Sequence, residues 1–155
     1  MNEPLYTSRH WGVEEWDCYH RTKNEYAWNN EGGFLCTNNP ATAKLFMILD
    51  SLRDCDSGWK CNDTTYKPQF GMSLKSGYRD EEANAAVGGV GGSYHTKGCA
   101  IDMHNANYYY TDAQIVESIE SVVSWYDDTL SMDQLGIGCY GDWVHLDVRG
   151  YKSRW

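Results

Sequence analysis

Residues Ser93 to Asp102 read Ser-Tyr-His-Thr-Lys-Gly-Cys-Ala-Ile-Asp. Its second half, continued to His104, alternates apolar side chains with small or polar ones, which is the period of a β-strand with one buried face. Gly98 stands just before that strand, where a turn with positive φ is expected to bring His95 back over it. The stretch therefore predicts a strand that carries Asp102 beneath an imidazole.

A second amphipathic strand is predicted from Trp143 to Arg149. Its apolar face consists of Val144, Leu146 and Val148. Its other face carries Trp143, His145, Asp147 and Arg149. Two strands of this kind predict a sheet that buries aliphatic side chains on one side and presents His, Asp and Arg side chains on the other.

The polar faces of the two strands contain the ligands that a catalytic zinc ion requires. Such an ion takes three protein ligands of N or O type, keeps one position open, and needs a base nearby. We predict one Zn²⁺ per chain, held by His95, Asp102 and His145, with Asp142 as the base. Either motif alone could be a solvated strand face, but their joint occurrence favours a metal site.

The rest of the chain predicts an α+β domain. Asn39-Pro40 is typical of a helix start, and a Thr111–Gln114 capping box begins a second long helix. Further strands are expected at Met72–Ser76 and Leu135–Tyr140, and a short helix at Asp80–Ala86. Together they predict a small, mostly antiparallel sheet with helices on one face and the zinc site on the other. The single domain spans 1–155, with an irregular N-terminal wrap at 1–38 and a catalytic core at 39–150.

Composition excludes several classes of function. The net charge of −9 argues against nucleic acid as a partner, because phosphates require basic patches. No apolar run approaches the roughly 18 residues of a membrane span. Met1–Pro4 lacks the features of a secretory signal, so synthesis in the cytoplasm and action on an outside substrate after release are expected. A monomer is expected.

The six cysteines leave the disulfide state open, because their even number hints at bridges whereas a reducing compartment weighs against them. Cys99 and Cys139 are predicted to be small core residues of strands. Cys55 with Cys61, and Cys18 with Cys36, could bridge if oxidised.

These motifs resemble the zinc D-alanyl-D-alanine carboxypeptidases and their relatives, the L-alanyl-D-glutamate endopeptidases of phage endolysins. The family pattern Ser-x-His-x-x-Gly-x-Ala-x-Asp is matched at every fixed position from Ser93 to Asp102. Upstream, the resemblance includes Ser76–Arg79, Asn84 and Val87–Gly89, and downstream it includes His145–Arg149. It covers about 41–150 and implies a hedgehog/DD-peptidase-like fold acting on peptidoglycan stem peptides.

Roles are also expected for single residues, and that of Arg79 is implied by the resemblance. Arg79 would stabilise the tetrahedral oxyanion, although an ordinary surface ion pair is the alternative. Ser93 is expected to shape the His95 turn or to touch substrate. Asp147 could orient a ligand imidazole, and Arg149 could either hold a substrate carboxylate or pair with Asp147. The remaining histidine of the polar face, His104, is expected at the rim.

Three functions remain open on this basis. Asp142, where carboxypeptidase members typically place a Glu, favours an endolysin-type endopeptidase of a phage or prophage. A D-alanyl-D-alanine carboxypeptidase is the second reading. A non-catalytic module that binds the cell wall is the third, and an intact base beside intact ligands disfavours it.

Overall fold

The computed structural model describes residues 4–16, 28–56, 72–105, 111–126 and 129–155. Its helices are α1 (Val13–Trp16), α2 (Pro40–Asp56), α3 (Glu81–Ala86) and α4 (Asp112–Val123). Its strands are β1 (Tyr6–Thr7), β2 (Trp28–Glu31), β3 (Phe34–Thr37), β4 (Met72–Ser76), β5 (Ala100–Asn105), β6 (Gly136–Cys139), β7 (Trp143–Asp147) and β8 (Ser153–Arg154). The predicted α+β class is confirmed.

The larger sheet has five strands in the order β4-β5-β7-β6-β8. Neighbouring strands are antiparallel except for β6 and β8, which are parallel. The register places Asp102 of β5 opposite His145 of β7, and Ile101 opposite Leu146. Because side chains alternate across a strand, one register puts the two polar residues on one face and the two aliphatic residues on the other.

The aliphatic face of this sheet packs against the long helices. Helix α2 contributes a stripe of residues at most 1% exposed, namely Leu45, Ile48, Leu49 and Leu52. Helix α4 adds Ile115, Ile119, Val122 and Val123, and Thr111 caps it through the predicted capping box. All these side chains share one cluster with Ile101, Met103, Val144 and Leu146. Each fully buried aliphatic side chain contributes about 1.5–3 kcal/mol, so the core fixes the register that the site depends on.

The N-terminal part of the chain differs from the irregular wrap expected for 1–38. It forms a three-stranded antiparallel sheet in the order β1-β3-β2, with Gly32 and Gly33 at positive φ between β2 and β3. A Gly-Gly pair between two short runs is a hairpin signal, but the polar residues of β2 hide the alternation that would reveal a strand. The same region also contains the short helix α1.

A buried carboxylate ties this N-terminal sheet to the core. Asp50 of α2 is fully buried and accepts hydrogen bonds from Tyr6 Oη at 2.5 Å, Ser8 Oγ at 2.9 Å and the Arg9 amide at 3.0 Å. Burial raises the pKa of Asp50, against the effect of these three donors. The N-terminal region is therefore anchored by a polar network as well as by apolar packing.

The cysteines follow the prediction only in part. Cys99 is buried, as expected, and burial raises its pKa to about 11. Cys139 is exposed, so its assignment to the core is wrong, because it ends β6 at the edge of the packed face. Cys36 is buried, whereas Cys18, Cys61 and the Cys55 side chain lie outside the described residues, and so do both expected bridges.

Among the described residues, none of the helices has the length and apolar character needed to cross a membrane.

Candidate metal centre

Three side chains converge on the polar face of the larger sheet. His95, Asp102 and His145 each direct one ligand atom to a common point, and these atoms all lie within 4.8 Å of one another. Asp102 Oδ1 is 3.0 Å from His145 Nδ1 and 3.4 Å from His95 Nε2. Cross-strand pairing brings Asp102 next to His145, and the turn before β5 brings His95 to both of them.

That turn places His95 over the strand as the sequence predicts. Gly98 has a φ of 71°, a left-handed conformation that side chains other than glycine rarely adopt. Its carbonyl accepts a hydrogen bond from Thr42 Oγ1 at 2.6 Å, which ties the turn to α2. Ser93 Oγ accepts from the His95 amide at 3.3 Å, in agreement with its expected role in shaping the turn.

Both imidazoles are oriented by acceptors on their far side. His95 Nδ1 lies 2.7 Å from the Gly77 carbonyl, and His145 Nε2 lies 2.7 Å from Asp147 Oδ2. A carbonyl only accepts hydrogen bonds, so His95 Nδ1 carries its ring proton, whereas His145 faces a carboxylate at each nitrogen, Asp147 at Nε2 and Asp102 at Nδ1. The lone pair of His95 Nε2 is thereby turned toward Asp102, and so is that of His145 Nδ1 when the proton of neutral His145 lies on Nε2.

This arrangement fits a metal ion. Two lone pairs and a carboxylate oxygen that face one another repel unless a cation or a proton lies between them. In the metal-free protein a proton takes that place. Burial lowers the pKa of His145, but its hydrogen bonds with Asp102 and Asp147 outweigh burial and leave that pKa above the ordinary value. Burial raises the pKa of Asp102, yet its bonds with His145 and His95 hold that pKa well below the usual range.

The Gly77 carbonyl that orients His95 is itself held by the N-terminal region. The amide of Tyr78, the next residue, donates to the Trp16 carbonyl at 2.8 Å. Trp16 is fully buried, and its ring packs edge-on against Phe46 of α2 with centroids 5.2 Å apart. Packing of the N-terminal helix thus fixes the backbone that positions a candidate ligand.

Asp147 and Arg149 form the ion pair that was one of the two expectations for Arg149. Asp147 is fully buried and accepts from Arg149 Nε at 2.8 Å and from Arg149 Nη2 at 2.7 Å. Burial raises the pKa of Asp147, but its bonds with Arg149 and His145 lower it overall, so the carboxylate stays charged. The hydrogen bond from His145 is the orienting contact expected of Asp147.

A pocket of about 490 Å³ opens over the candidate ligands. The described residues that line it are Arg79, Gly88, Gly89, Val90, Gly91, Gly92, Ser93, Tyr94, His95, Asp102, Tyr140, Trp143, His145, Arg149 and Trp155. The Arg79 amide donates to the His95 carbonyl at 3.2 Å, which holds this arginine beside the ligands. Its Nε is buried and has no hydrogen-bond partner within the described part of the chain. Arg79 therefore has a donor available for a bound molecule.

Of two other expected site residues, one does not line this pocket and the other has a side chain outside the described residues. Asp142 is exposed in the turn before β7 and is not among the described residues that line the pocket, so its role as the base stays a prediction. The backbone of His104 lies in β5, whereas its side chain lies outside the described residues. His10, which does not line the pocket, pairs with Asp54 at 2.8 Å.

One wall of the pocket is aromatic and was not expected from the sequence. Trp155 packs its indole on His145 with ring centroids 5.2 Å apart, and its Nε1 donates to Tyr140 Oη at 2.5 Å. Tyr140 in turn stacks on Trp143, with centroids 4.9 Å apart and planes 8° from parallel. The parallel pairing of β8 with β6 brings Trp155 to this place, and no local pattern in the sequence predicts that pairing.

Comparison with known proteins agrees with this geometry. The family model described as peptidase M15 matches residues 29–147, which is most of the chain and includes all three candidate ligands. Searches of curated proteins and of solved structures returned no significant match. Enzymes of this family are metallopeptidases, and the cluster on β5, β7 and the preceding turn could hold the metal. From the matched segment, the chain belongs to the peptidase M15 family.

Proposed function

We propose that this protein is a zinc-dependent peptidase that hydrolyses amide bonds in the stem peptides of peptidoglycan. The observation that carries the proposal is the convergence of two imidazole lone pairs and one carboxylate within 4.8 Å. Catalytic zinc sites can use two histidines and one carboxylate as protein ligands and leave a fourth position open. One Zn²⁺ per chain is therefore expected.

Different residues have different roles in the proposed hydrolysis of the amide. Zinc held by His95, Asp102 and His145 would supply a Lewis acid that polarises the scissile carbonyl and lowers the pKa of water. Arg79, with its buried Nε available, donates to the oxygen that becomes negatively charged as water adds. Asp142 accepts a proton from the attacking water and delivers it to the leaving amine.

Asp142 also supports the finer part of the proposal. An Asp three residues before the last candidate ligand resembles the endolysin branch, so we propose an endopeptidase of phage or prophage type with a hedgehog/DD-peptidase-like fold. Asp142 precedes Trp143, which lines the pocket. A monomer is the proposed working form.

Digestion of purified cell walls tests the proposal. Zinc-loaded protein should clear the walls in a zymogram, and His145→Ala, which lacks one of three ligands, should not. Mass spectrometry of the soluble fragments then distinguishes the enzymes: an endopeptidase leaves new amino termini inside the stem peptide, whereas a carboxypeptidase releases only free D-alanine. Binding to walls without any released fragment would contradict both and favour the non-catalytic module.

A further inference from the structure

We propose that Asp112 is a positioning residue, whose carboxylate fixes the turn between β6 and β7 and so holds Asp142 in place for proton transfer. This inference rests on the proposed function and adds a residue to it. The contact that carries it is a hydrogen bond of 2.7 Å from the Gly141 amide to Asp112 Oδ2. This bond joins the first residue of α4 to the residue directly before Asp142.

The position of Asp142 depends on its backbone. The residue is exposed, so packing against neighbouring side chains does not hold it. On one side, Trp143 is fixed by its pairing with β5 and by the stacking of its ring on Tyr140. On the other side, Gly141 has a φ of 86°, in the region that side chains other than glycine rarely adopt. Because glycine is the most flexible residue of a chain, this side of the turn gains most from an external contact.

Helix α4 provides that contact from a rigid position. Ile115, three residues after Asp112, is buried in the main apolar cluster, so the start of the helix is fixed. The helix is capped by two other residues, because Thr111 Oγ1 accepts from the Gln114 amide at 3.2 Å and Gln114 Oε1 accepts from the Thr111 amide at 2.9 Å. The Asp112 carboxylate is therefore not used as the cap and reaches across to the turn instead.

The bond to Gly141 is more than a general charge effect. A carboxylate in the first turn of a helix interacts favourably with the helix dipole, and this requires no directed contact. A carboxylate that accepts from a backbone amide at 2.7 Å forms a directed, charge-assisted hydrogen bond. Loss of this bond would free a residue whose Cα lies only about 3.8 Å from that of Asp142. Because a misplacement of about 1 Å can cost about a hundredfold in rate, the contact bears on catalysis.

Kinetics of zinc-loaded variants test the inference, with stem peptides solubilised from purified cell walls as the substrate. Asp112→Ala removes the acceptor, so kcat for the release of new amino groups should fall about ten- to a hundredfold. KM should stay within about twofold, because Asp142 acts in the transition state and does not hold the bound substrate. Asp112→Asn keeps an acceptor oxygen for the Gly141 amide and should retain kcat within about threefold of the wild type.

Two comparisons distinguish positioning from a loss of stability. Thr111→Ala removes the cap of α4 and leaves the Asp112 carboxylate in place, so it should destabilise the helix start and keep kcat within about twofold. In an Asp142→Asn background, Asp112→Ala should lower kcat by no more than about threefold further, because there is no longer a base to position. Each of these variants should still bind one zinc ion per chain.

Hydrogen exchange of the Gly141 amide, followed by NMR, tests the contact without any catalysis. In the wild type this amide should exchange at least about tenfold more slowly than an unbonded amide of an exposed turn. Asp112→Ala should abolish the protection, and Asp112→Asn should keep most of it. An unprotected Gly141 amide in the wild type would overturn the inference even if no variant of Asp112 folds.

The outcomes separate this inference from the proposed function. An unchanged kcat in Asp112→Ala overturns the role of Asp112 and leaves the peptidase intact. The same holds for an equal loss of kcat in Thr111→Ala, for a full additional loss in the Asp142→Asn background, and for activity that survives Asp142→Asn. An inactive wild type whose Gly141 amide is protected by Asp112 would support the contact and contradict the peptidase.

Discussion

Asp147→Asn separates the orienting role of this carboxylate from mere packing. The amide keeps the shape of the side chain but replaces one acceptor oxygen with a donor. In the native protein both oxygens are used: Oδ2 accepts from His145 Nε2 at 2.7 Å, and the two oxygens together accept from Arg149 at 2.7 and 2.8 Å. An amide cannot satisfy this set, so one of the two partners loses its acceptor.

The loss should appear in zinc affinity and in stability. If the amide donates to His145 Nε2, the ring proton moves to Nδ1, the atom that faces Asp102, and metal must displace it. Loss of such an orienting partner typically lowers affinity ten- to a hundredfold, or about 1.4–2.8 kcal/mol. The unfolding free energy of the metal-free protein should fall by about 3 kcal/mol, which is the lower end of the range for breaking a buried ion pair. The lower end applies because the Arg149 side chain is 13% exposed.

Competition with a chromophoric zinc chelator measures the affinity, and urea unfolding of the chelated protein measures the stability. Asp133→Asn is the matched control, since Asp133 is exposed on the turn before β6 and should change neither quantity. Affinity within twofold of the wild type, together with the expected loss of stability, would refute the orienting role and leave Asp147 as a partner of Arg149 alone.

Three other changes test the rest of the site. Asp142→Asn should keep zinc bound and lower turnover by about two to four orders of magnitude in a peptide cleavage assay, whereas a drop of only a few-fold would require another base. Asp102→Ala should abolish zinc binding and His104→Ala should preserve it, which elemental analysis of the two purified variants decides. Because the pKa of His145 is raised in the folded protein, protonated His145 stabilises the metal-free protein at pH values below the ordinary pKa of about 6.5. This stability is lost as the pH rises through the raised pKa. Zinc binds better once His145 has lost this proton, so the difference in melting temperature between zinc-loaded and metal-free protein should widen as the pH rises through the same range. A difference that stays constant with pH would contradict the assignment of His145 as a ligand.

The parts of the fold that the sequence could predict are those with local periodicity. Strands β5 and β7 alternate cleanly, and their pairing turns two motifs into one site because Asp102 and His145 fall opposite each other. Helices α2 and α4 carry both a capping signal and an apolar stripe. In each case residues close in the chain determine the structure, so a single sequence is sufficient.

The parts that could not be predicted depend on contacts between distant segments. Trp155 reaches the pocket only because β8 pairs in parallel with β6, and the exposure of Cys139 depends on where β6 leaves the packed face. The three-stranded N-terminal sheet is stabilised by Asp50, which lies more than forty residues from its donors at Tyr6 and Ser8. Neither periodicity nor spacing encodes such pairings.

The contact between Trp16 and the backbone at Gly77 and Tyr78 bears on what counts as the functional unit. The family match covers 29–147, yet Trp16 lies before it, and Arg149 and Trp155 lie after it. Trp16 holds the backbone whose Gly77 carbonyl orients His95, and Arg149 and Trp155 line the pocket. A protein trimmed to the recognisable segment would keep every metal-binding side chain while losing the supports at both ends, so inactivity of such a fragment would say nothing about its ligands.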